Sequence, residues 1–371
     1  MPVHIIRYDT IRYGENPWLL VCGLIWFLQL ITILMIPDIK NKKRCIIFNI
    51  GHKNMILTTM KTFSICHRCL CCIVAVLALV SCSRENNGDG NDDGSDIHET
   101  DLQKYPGKGE IKIMSFNVRC STSKETNPYN GWDFRKDACL EMIRDQKPSL
   151  IGFQEAVFDT QWSFFKDSLA KNYEGFGVGR NDGMEKGECM GILFRKSDIK
   201  KIDGGTFWLS ETPDKPSRAD SWGAGNYRSA TWGIFEDIAT GNKFCYINTH
   251  LDLVSSARTK EMELISERFS MYNPDNYPQF LSADFNTTQN DKIFDYIEPG
   301  MLNSRDEAPE DKTDENTTYN GWGDAGGKII DDIFGSAKVT VNEYHTVYES
   351  YGDAAYLSDH YPIYAIFKFN K

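Results

Sequence analysis

From Glu110 onward, polar residues able to bind a metal or hold a proton recur at the ends of short apolar runs. The endings are Asn117, Glu155, His250, Asp284 with Asn286, Asp331, and Asp359 with His360. A rigid strand presents a residue at its end to a cleft with little freedom. Several such endings together point to a sheet with chemistry gathered at one side. Any one of them alone reads as a loop residue or a hydrogen-bonded core group, so the inference rests on their joint occurrence.

The spacing between the endings predicts alternating strands and helices. Alternation over 111–116 gives a mostly buried strand ending at Asn117. A helix is expected over Asp133–Gln146, stopped by Pro148, then a strand over Ser149–Gln154 and a helix over Thr160–Ala170. Strands follow at Gly175–Val178, Met190–Arg195, Thr206–Leu209, Ser229–Glu236 and Lys243–Asn248. Ser255–Met271 reads as a helix with Met262, Ile265 and Phe269 along one stripe. Gln279–Ser282, Ile329–Phe334 and Tyr361–Phe369 complete the strands. There is no internal repeat, and 108–371 reads as one α/β domain.

The residues before it have another character. Trp18–Ile36 is apolar and near the length of a bilayer span, weakened by Gln29 and Pro37. Met60, Lys61, His67 and Arg68 precede a shorter apolar run, Cys69–Val80, which ends at Ser81-Cys82. A positive region, an apolar region and small residues before a cysteine make an export signal. The segment 60–81 resembles the signal peptide of bacterial lipoproteins, which implies Cys82 as the lipidated first residue. Residues 1–59 are then either a mis-assigned start or a membrane-anchored extension. Residues 82–107 are rich in Asn, Gly, Asp and Glu and are expected to be a disordered acidic linker. The acidic run also resembles the surface-export signals of Bacteroidetes lipoproteins, with a plain tether as the alternative.

Net charge is -11, which argues against a protein that coats nucleic acid through a broad basic surface. It leaves open an enzyme whose positive charge comes from a metal. Cys120, Cys139, Cys189 and Cys245 in the domain follow no zinc-binding spacing. Cys66 and Cys69 form a C-x-x-C, but beside the apolar export segment.

The ordered motifs are Ser115-Phe116-Asn117-Val118-Arg119, Gly152-Phe153-Gln154-Glu155, Asn248-Thr249-His250-Leu251-Asp252, Ala283-Asp284-Phe285-Asn286, Ile330-Asp331-Asp332-Ile333-Phe334 and Ser358-Asp359-His360-Tyr361-Pro362. This series resembles the endonuclease/exonuclease/phosphatase superfamily, in its deoxyribonuclease-like and nocturnin-like deadenylase branches. The resemblance implies a four-layer α/β sandwich, two packed and mostly antiparallel sheets flanked by helices. It implies Mg²⁺ or Mn²⁺ held by Glu155 and Asn117, with Asp359 as a further ligand. His360 is expected as general base or water-polarising group, with its tautomer set by Asp331. Asp284 and Asn286 are expected to orient the nucleophile and bind a phosphate oxygen. His250 is expected to face the phosphate with Glu188 as its carboxylate partner, and Arg228 to contact the phosphate or form a surface ion pair. Arg119 departs from the pattern of abasic-site endonucleases, which carry an acid there. Asp332 stands where an aromatic or His is common and is expected to point outward.

The chemistry fits the reaction. A phosphodiester repels hydroxide, so hydrolysis needs a hard cation and a base. The substrate stays open between nucleic acid, a lipid head group and a sugar phosphate. Nuclease or 3′-5′ exonuclease action is the first reading. Sphingomyelinase-like or inositol-phosphatase-like action and a non-catalytic binding module are the alternatives. Thr206–Pro213 and Trp222 are candidates to wall a smaller pocket, or else core and loop packing. The chain is expected to be a monomer, exported and held to the bacterial envelope by its lipid alone.

Overall fold

A computed structural model describes residues 106–297, 300–324 and 326–370, and the backbone of three strands nearer the N terminus. The chain divides into two units, Met1–Asp93 and Gly94–Lys371. In the first, β1 (Ile33–Pro37), β2 (Arg44–Ile50) and β3 (Lys53–Thr58) form an antiparallel sheet. The apolar stretch from Trp18 runs into β1. Its residues before 33, the signal segment 60–81, Cys82 and the linker up to 105 lie outside the described residues. Among the described residues no helix is long and apolar enough to cross a membrane.

The second unit contains two six-stranded sheets. One runs β16 (Val339–Thr346), β17 (Ile363–Phe369), β4 (Glu110–Asn117), β5 (Leu150–Gln154), β9 (Ile192–Arg195), β7 (Tyr173–Phe176). The other runs β10 (Ile199–Trp208), β11 (Ser229–Asp237), β12 (Lys243–His250), β13 (Gln279–Asp284), β15 (Asp331–Ser336), β14 (Met301–Asn303). Only β4–β5 and β12–β13 pair in parallel within these sheets. A short pair, β6 (Ala156–Val157) and β8 (Glu188–Cys189), extends from the first sheet's end.

Successive side chains of a strand face opposite ways, and here both faces are apolar because both are covered. Ile111 and Ile113 of β4 join Leu150, Phe244, Phe280, Ile333 and Phe367 in the layer between the sheets. Met114 and Phe116 of the same strand pack outward against Leu140, Ile143 and Phe165, from helices α1 (Trp132–Gln146) and α2 (Ser163–Ser168). On the other side α3 (Ser255–Tyr272) lays Met262, Ile265 and Phe269 over Ile247 and Leu281. The result is the expected α/β/β/α sandwich.

Several elements differ from the sequence reading, three of them for an identifiable reason. The helix expected from Thr160 begins as a wide π turn, Phe158–Trp162, before α2. There the buried Gln161 side chain accepts from Ser121 N (2.8 Å) and Val157 N (3.1 Å) and donates to Arg119 O (2.9 Å). β10 starts seven residues before the expected Thr206 at Ile199, through Lys200, Lys201 and Asp203. It is an edge strand, where charges are tolerated, and a bulge between Lys201 and Asp203 breaks its alternation. β16 was not expected at all; a bulge between Val341 and Glu343 disrupts its period-two pattern in the same way.

Near the end of the sandwich that carries the polar strand termini, the interlayer is itself polar. Gln154 Nε2 donates to Asn248 Oδ1 (2.7 Å) and Ser115 Oγ (3.0 Å), Asn248 Nδ2 donates to Phe153 O (2.9 Å), and Ser282 Oγ donates to Asn248 Oδ1 (3.1 Å). All are buried. A buried polar group left unpaired is costly, so this network favours one register of sheet on sheet. It needs Gly152: a Cβ there would lie 2.3 Å from Tyr246 OH and 2.4 Å from Asn248 Oδ1.

Candidate active site

β4, β5, β12 and β13 end beside this network and β15 begins there, and residues at these termini gather around a cavity of about 560 Å³. Glu155, Arg228, His250, Asp284, Asn286, Asp359 and His360 line it. Their chain separation is large, so only the stacked sheets bring them together.

Several termini turn sharply. Arg119, Glu155 and Asn286 have φ of 53°, 60° and 52°, in the left-handed region. For an L-residue other than glycine this conformation costs roughly 1–2 kcal/mol. Asn tolerates it best, and the other two are held by bonds. Glu155 Oε1 accepts from Asn117 Nδ2 (3.1 Å) and Oε2 from Cys120 N (2.9 Å), while Arg119 N donates to Asn117 Oδ1 (3.0 Å). Burial works to raise the Glu155 pKa, but the Cys120 N–H, His360, Asn117 and Arg119 outweigh it and hold the carboxyl below its ordinary value.

Asp284 stands at the centre. Its Oδ2 accepts from Asn117 Nδ2 (2.9 Å) and lies 3.4 Å from His250 Nε2 and 3.7 Å from His360 Nε2. Its Oδ1 accepts from Asn286 N (2.9 Å). Burial and the neighbouring Asp331 push this carboxyl up to about 7.

His360 Nδ1 is 2.8 Å from Asp331 Oδ2, the pairing expected from the sequence. Thr318 secures it: its Oγ1 accepts from Ile330 N and Asp331 N, and its carbonyl accepts from Tyr361 N. Burial works to lower the His360 pKa, but Asp331, Asp284 and Asp359 outweigh it and raise the ring to about 10. A ring already protonated cannot accept a proton from water. Beside such a ring, the Asp284 carboxyl is a second candidate for the base role expected of His360.

The expected His250–Glu188 pair does not form. Glu188 is taken by Arg180, Nη1 to Oε2 2.6 Å and Nη2 to Oε1 2.7 Å. Arg180 lies outside every motif read in the sequence, which is why the pairing went unseen. His250 Nε2 instead faces Asn286 Nδ2 at 2.8 Å, and that amide nitrogen also donates to Leu251 O (2.8 Å). His250 Nε2 is therefore an acceptor, and its ring is neutral: burial, then Arg228 and Arg180, hold its pKa well below the ordinary value.

Asp359 reaches the cavity, but Arg119 Nη1 lies 3.3 Å from its Oδ2, so a guanidinium neutralises the expected further metal ligand. Arg119 is a cavity residue the sequence reading treated only as a departure. Tyr319, Lys328, Leu253, Ile330, Thr287 and Thr288 also line the cavity without having been singled out. Asp332 does not point outward. It is fully buried, and its Oδ1 accepts from Asn303 Nδ2 (2.9 Å) and Gln289 Nε2 (3.0 Å). Phe207, Trp208 and Leu209 are core residues rather than pocket walls, and Trp222 packs on Ala219, Ala224 and Ala257. Cys120, Cys139, Cys189 and Cys245 are free thiols.

Glu155, His250 and Asp284 bring one ligand atom each within 4.8 Å of one another. Two of these three ligand atoms are carboxylate oxygens, and the anionic Glu155 is already ordered by two hydrogen bonds; Asn117, expected as a ligand, turns Nδ2 toward Glu155 and Asp284 and engages Oδ1 with Arg119 N, so it orders the carboxylates instead. Such a set fits a hard divalent cation better than a thiophilic one.

The sequence model of the Endonuclease/Exonuclease/phosphatase family matches residues 114–360. An endonuclease/exonuclease/phosphatase of Bacteroides vulgatus superposes with a TM-score of 0.64 at 30% identity, covering 70% of this chain and 99% of that one. The mannosyl-6-phosphatase of Bacteroides thetaiotaomicron superposes with a TM-score of 0.63 at 29% identity, covering 70% of this chain and 100% of that one. The 3′-5′-exoribonuclease subunit Ccr4 of Emericella nidulans is 24% identical over 165 residues, which span 38% of this chain and 24% of that subunit.

Proposed function

Because the chain belongs to the endonuclease/exonuclease/phosphatase family, we propose that it is a divalent-metal-dependent phosphoester hydrolase working through Glu155, Asp284 and the His360–Asp331 pair. The observation that carries this is the convergence of Glu155, Asp284 and His360, the last bonded to Asp331, on a single cavity. Glu155, ordered by Asn117 Nδ2, would hold Mg²⁺ or Mn²⁺, which would polarise a phosphate oxygen and offset its charge. Asp284 Oδ2 takes the proton of the attacking water as its oxygen bonds to phosphorus, the P–O bond to the leaving oxygen breaks, and that oxygen takes a proton from solvent. The His360 imidazolium, held at Nδ1 by Asp331, turns Nε2 toward Asp284 and the phosphate. Neutral His250 and the Asn286 amide orient the water, and Arg228 binds phosphate oxygens.

The likeness to an exoribonuclease supports a phosphodiester substrate. The cavity supports a compact sugar phosphate better. Arg228 and Lys328 line a space of about 560 Å³, suited to one compact phosphate, while Arg119 is paired with Asp359 and Glu125. The neighbouring groove offers Asp159, Glu185 and Glu188 against Arg180 and Lys186, which is no track for a polyanion. The likeness to a mannosyl-6-phosphatase supports the same choice. A panel of mannose 6-phosphate, inositol phosphates, sphingomyelin, single-stranded RNA and DNA, and a chromogenic diester tests this with Mg²⁺, Mn²⁺ and EDTA. Sugar phosphate should turn over fastest and EDTA should abolish the activity. Preference for RNA would restore the nuclease reading, and no turnover of any substrate would leave a binding module.

We also propose that Cys82 is lipidated and anchors the mature enzyme to the cell envelope, on the strength of the signal-like segment 60–81. Mass spectrometry of the native N terminus should find residues 1–81 removed. An intact peptide across Val80–Arg84 in the mature protein would exclude it.

A further inference from the structure

Asp252 and Glu261 are buried carboxyl groups behind the cavity, and nothing in the mechanism above uses them. Asp252 follows His250 by two residues in the Asn248–Asp252 motif. Its Oδ1 accepts from Val254 N (3.0 Å) and Gly225 N (3.3 Å), and its Oδ2 from Asn226 N (3.3 Å) and Arg228 Nε (3.5 Å). One carboxylate thus gathers the loop leading into β11, the turn after β12 and the guanidinium that lines the cavity. Asp252 is the only ion-pair partner of Arg228 among the described residues. Asp252 is itself held from α3. Its N–H donates to Glu261 Oε2 (2.8 Å), and its carbonyl accepts from Arg258 Nη1 (3.1 Å), which also grips Leu253 O (2.7 Å).

From these contacts we infer that Asp252 and Glu261 are positioning residues that brace Arg228 for the substrate's phosphate. Bonding through Nε leaves the two terminal nitrogens of the guanidinium for a bidentate grip on phosphate oxygens. A guanidinium free to rotate would lose ordering entropy on each binding event. The expense of burying Glu261, whose Oε1 has no partner, fits a brace better than packing alone. Burial pushes its carboxyl up to about 8, so glutamine resembles its neutral form closely.

The inference rests on the cavity binding phosphate, and its test is separable from turnover. The Nε–H signal of Arg228 in nitrogen-15 NMR of the whole chain, identified by its loss in Arg228→Lys, should be protected from solvent exchange. Asp252→Asn must turn an NH₂ toward one pair of donors, and Glu261→Leu removes the acceptor for Asp252 N–H. Both should make the signal exchange rapidly and weaken inorganic phosphate binding roughly tenfold, the scale of one charge-assisted bond. Glu261→Gln should preserve both. In an Arg228→Lys background the same changes should have little further effect. Protection surviving Asp252→Asn, or equal affinity losses with and without Arg228, would overturn the brace. Should a variant fail to fold, the wild-type signal still decides: exchange as fast as an exposed arginine refutes it. Protection at Arg228 in a chain that hydrolyses no phosphoester would leave the brace standing and remove only the hydrolase reading.

Discussion

Glu155→Ala and His360→Ala should each lower metal-dependent turnover by at least ~100-fold, the scale of general acid–base and charge-stabilising groups. Glu155 is the ordered anion beside Asn117, and without it the cation site loses its charged donor. His360 is the cation that faces Asp284 and is fixed by Asp331. The two act on one transition state, so the double variant should be little worse than either single one. Both side chains serve the cavity, and neither belongs to the apolar clusters, so thermal melting should stay cooperative. Steady-state rates and melting curves of the three variants check this. Near-normal turnover in His360→Ala would remove the cation from the mechanism.

Asp284→Asn should be as damaging, and its signature lies in the pH profile. The Asp284 carboxyl sits at about 7, so below that pH it already carries a proton and cannot take one from water. As pH rises through about 7 it becomes the carboxylate, and the rate should climb with it. His360 keeps its proton to about 10, so no falling limb from that ring is expected below that value. Asparagine cannot accept the proton, so the variant should keep a residual rate at least ~100-fold lower, without the rise near 7. Rate measurements from pH 5 to 9 decide it. A rise that persisted in Asp284→Asn would place the base elsewhere.

The sequence alone determined what local chemistry can specify. Apolar periodicity marks β4, β5, β12 and α3, because a strand or helix with a buried face must repeat its apolar residues at a set interval. The polar strand endings and their order identify Asn117, Glu155, His250, Asp284, Asn286, Asp331, Asp359 and His360 as candidates, and all but Asn117 and Asp331 line one cavity while those two bond directly to lining residues. The His360–Asp331 pair was expected only through the family resemblance those motifs carry. The first half of the bulged edge strand β10 and all of β16 were not legible, since a one-residue insertion breaks the period that reveals a strand.

Only the tertiary structure decided how those residues are shared out. Arg180 comes from a loop outside the motifs and captures Glu188, leaving His250 neutral on Asn286. Arg119 neutralises Asp359, and burial between Asp331 and Asn117 makes Asp284 the group that titrates near neutrality. A carboxylate's partner and proton affinity depend on which charges lie within a few ångströms and how much water is excluded. Residues far apart in the chain set both, so no local pattern in the sequence records them.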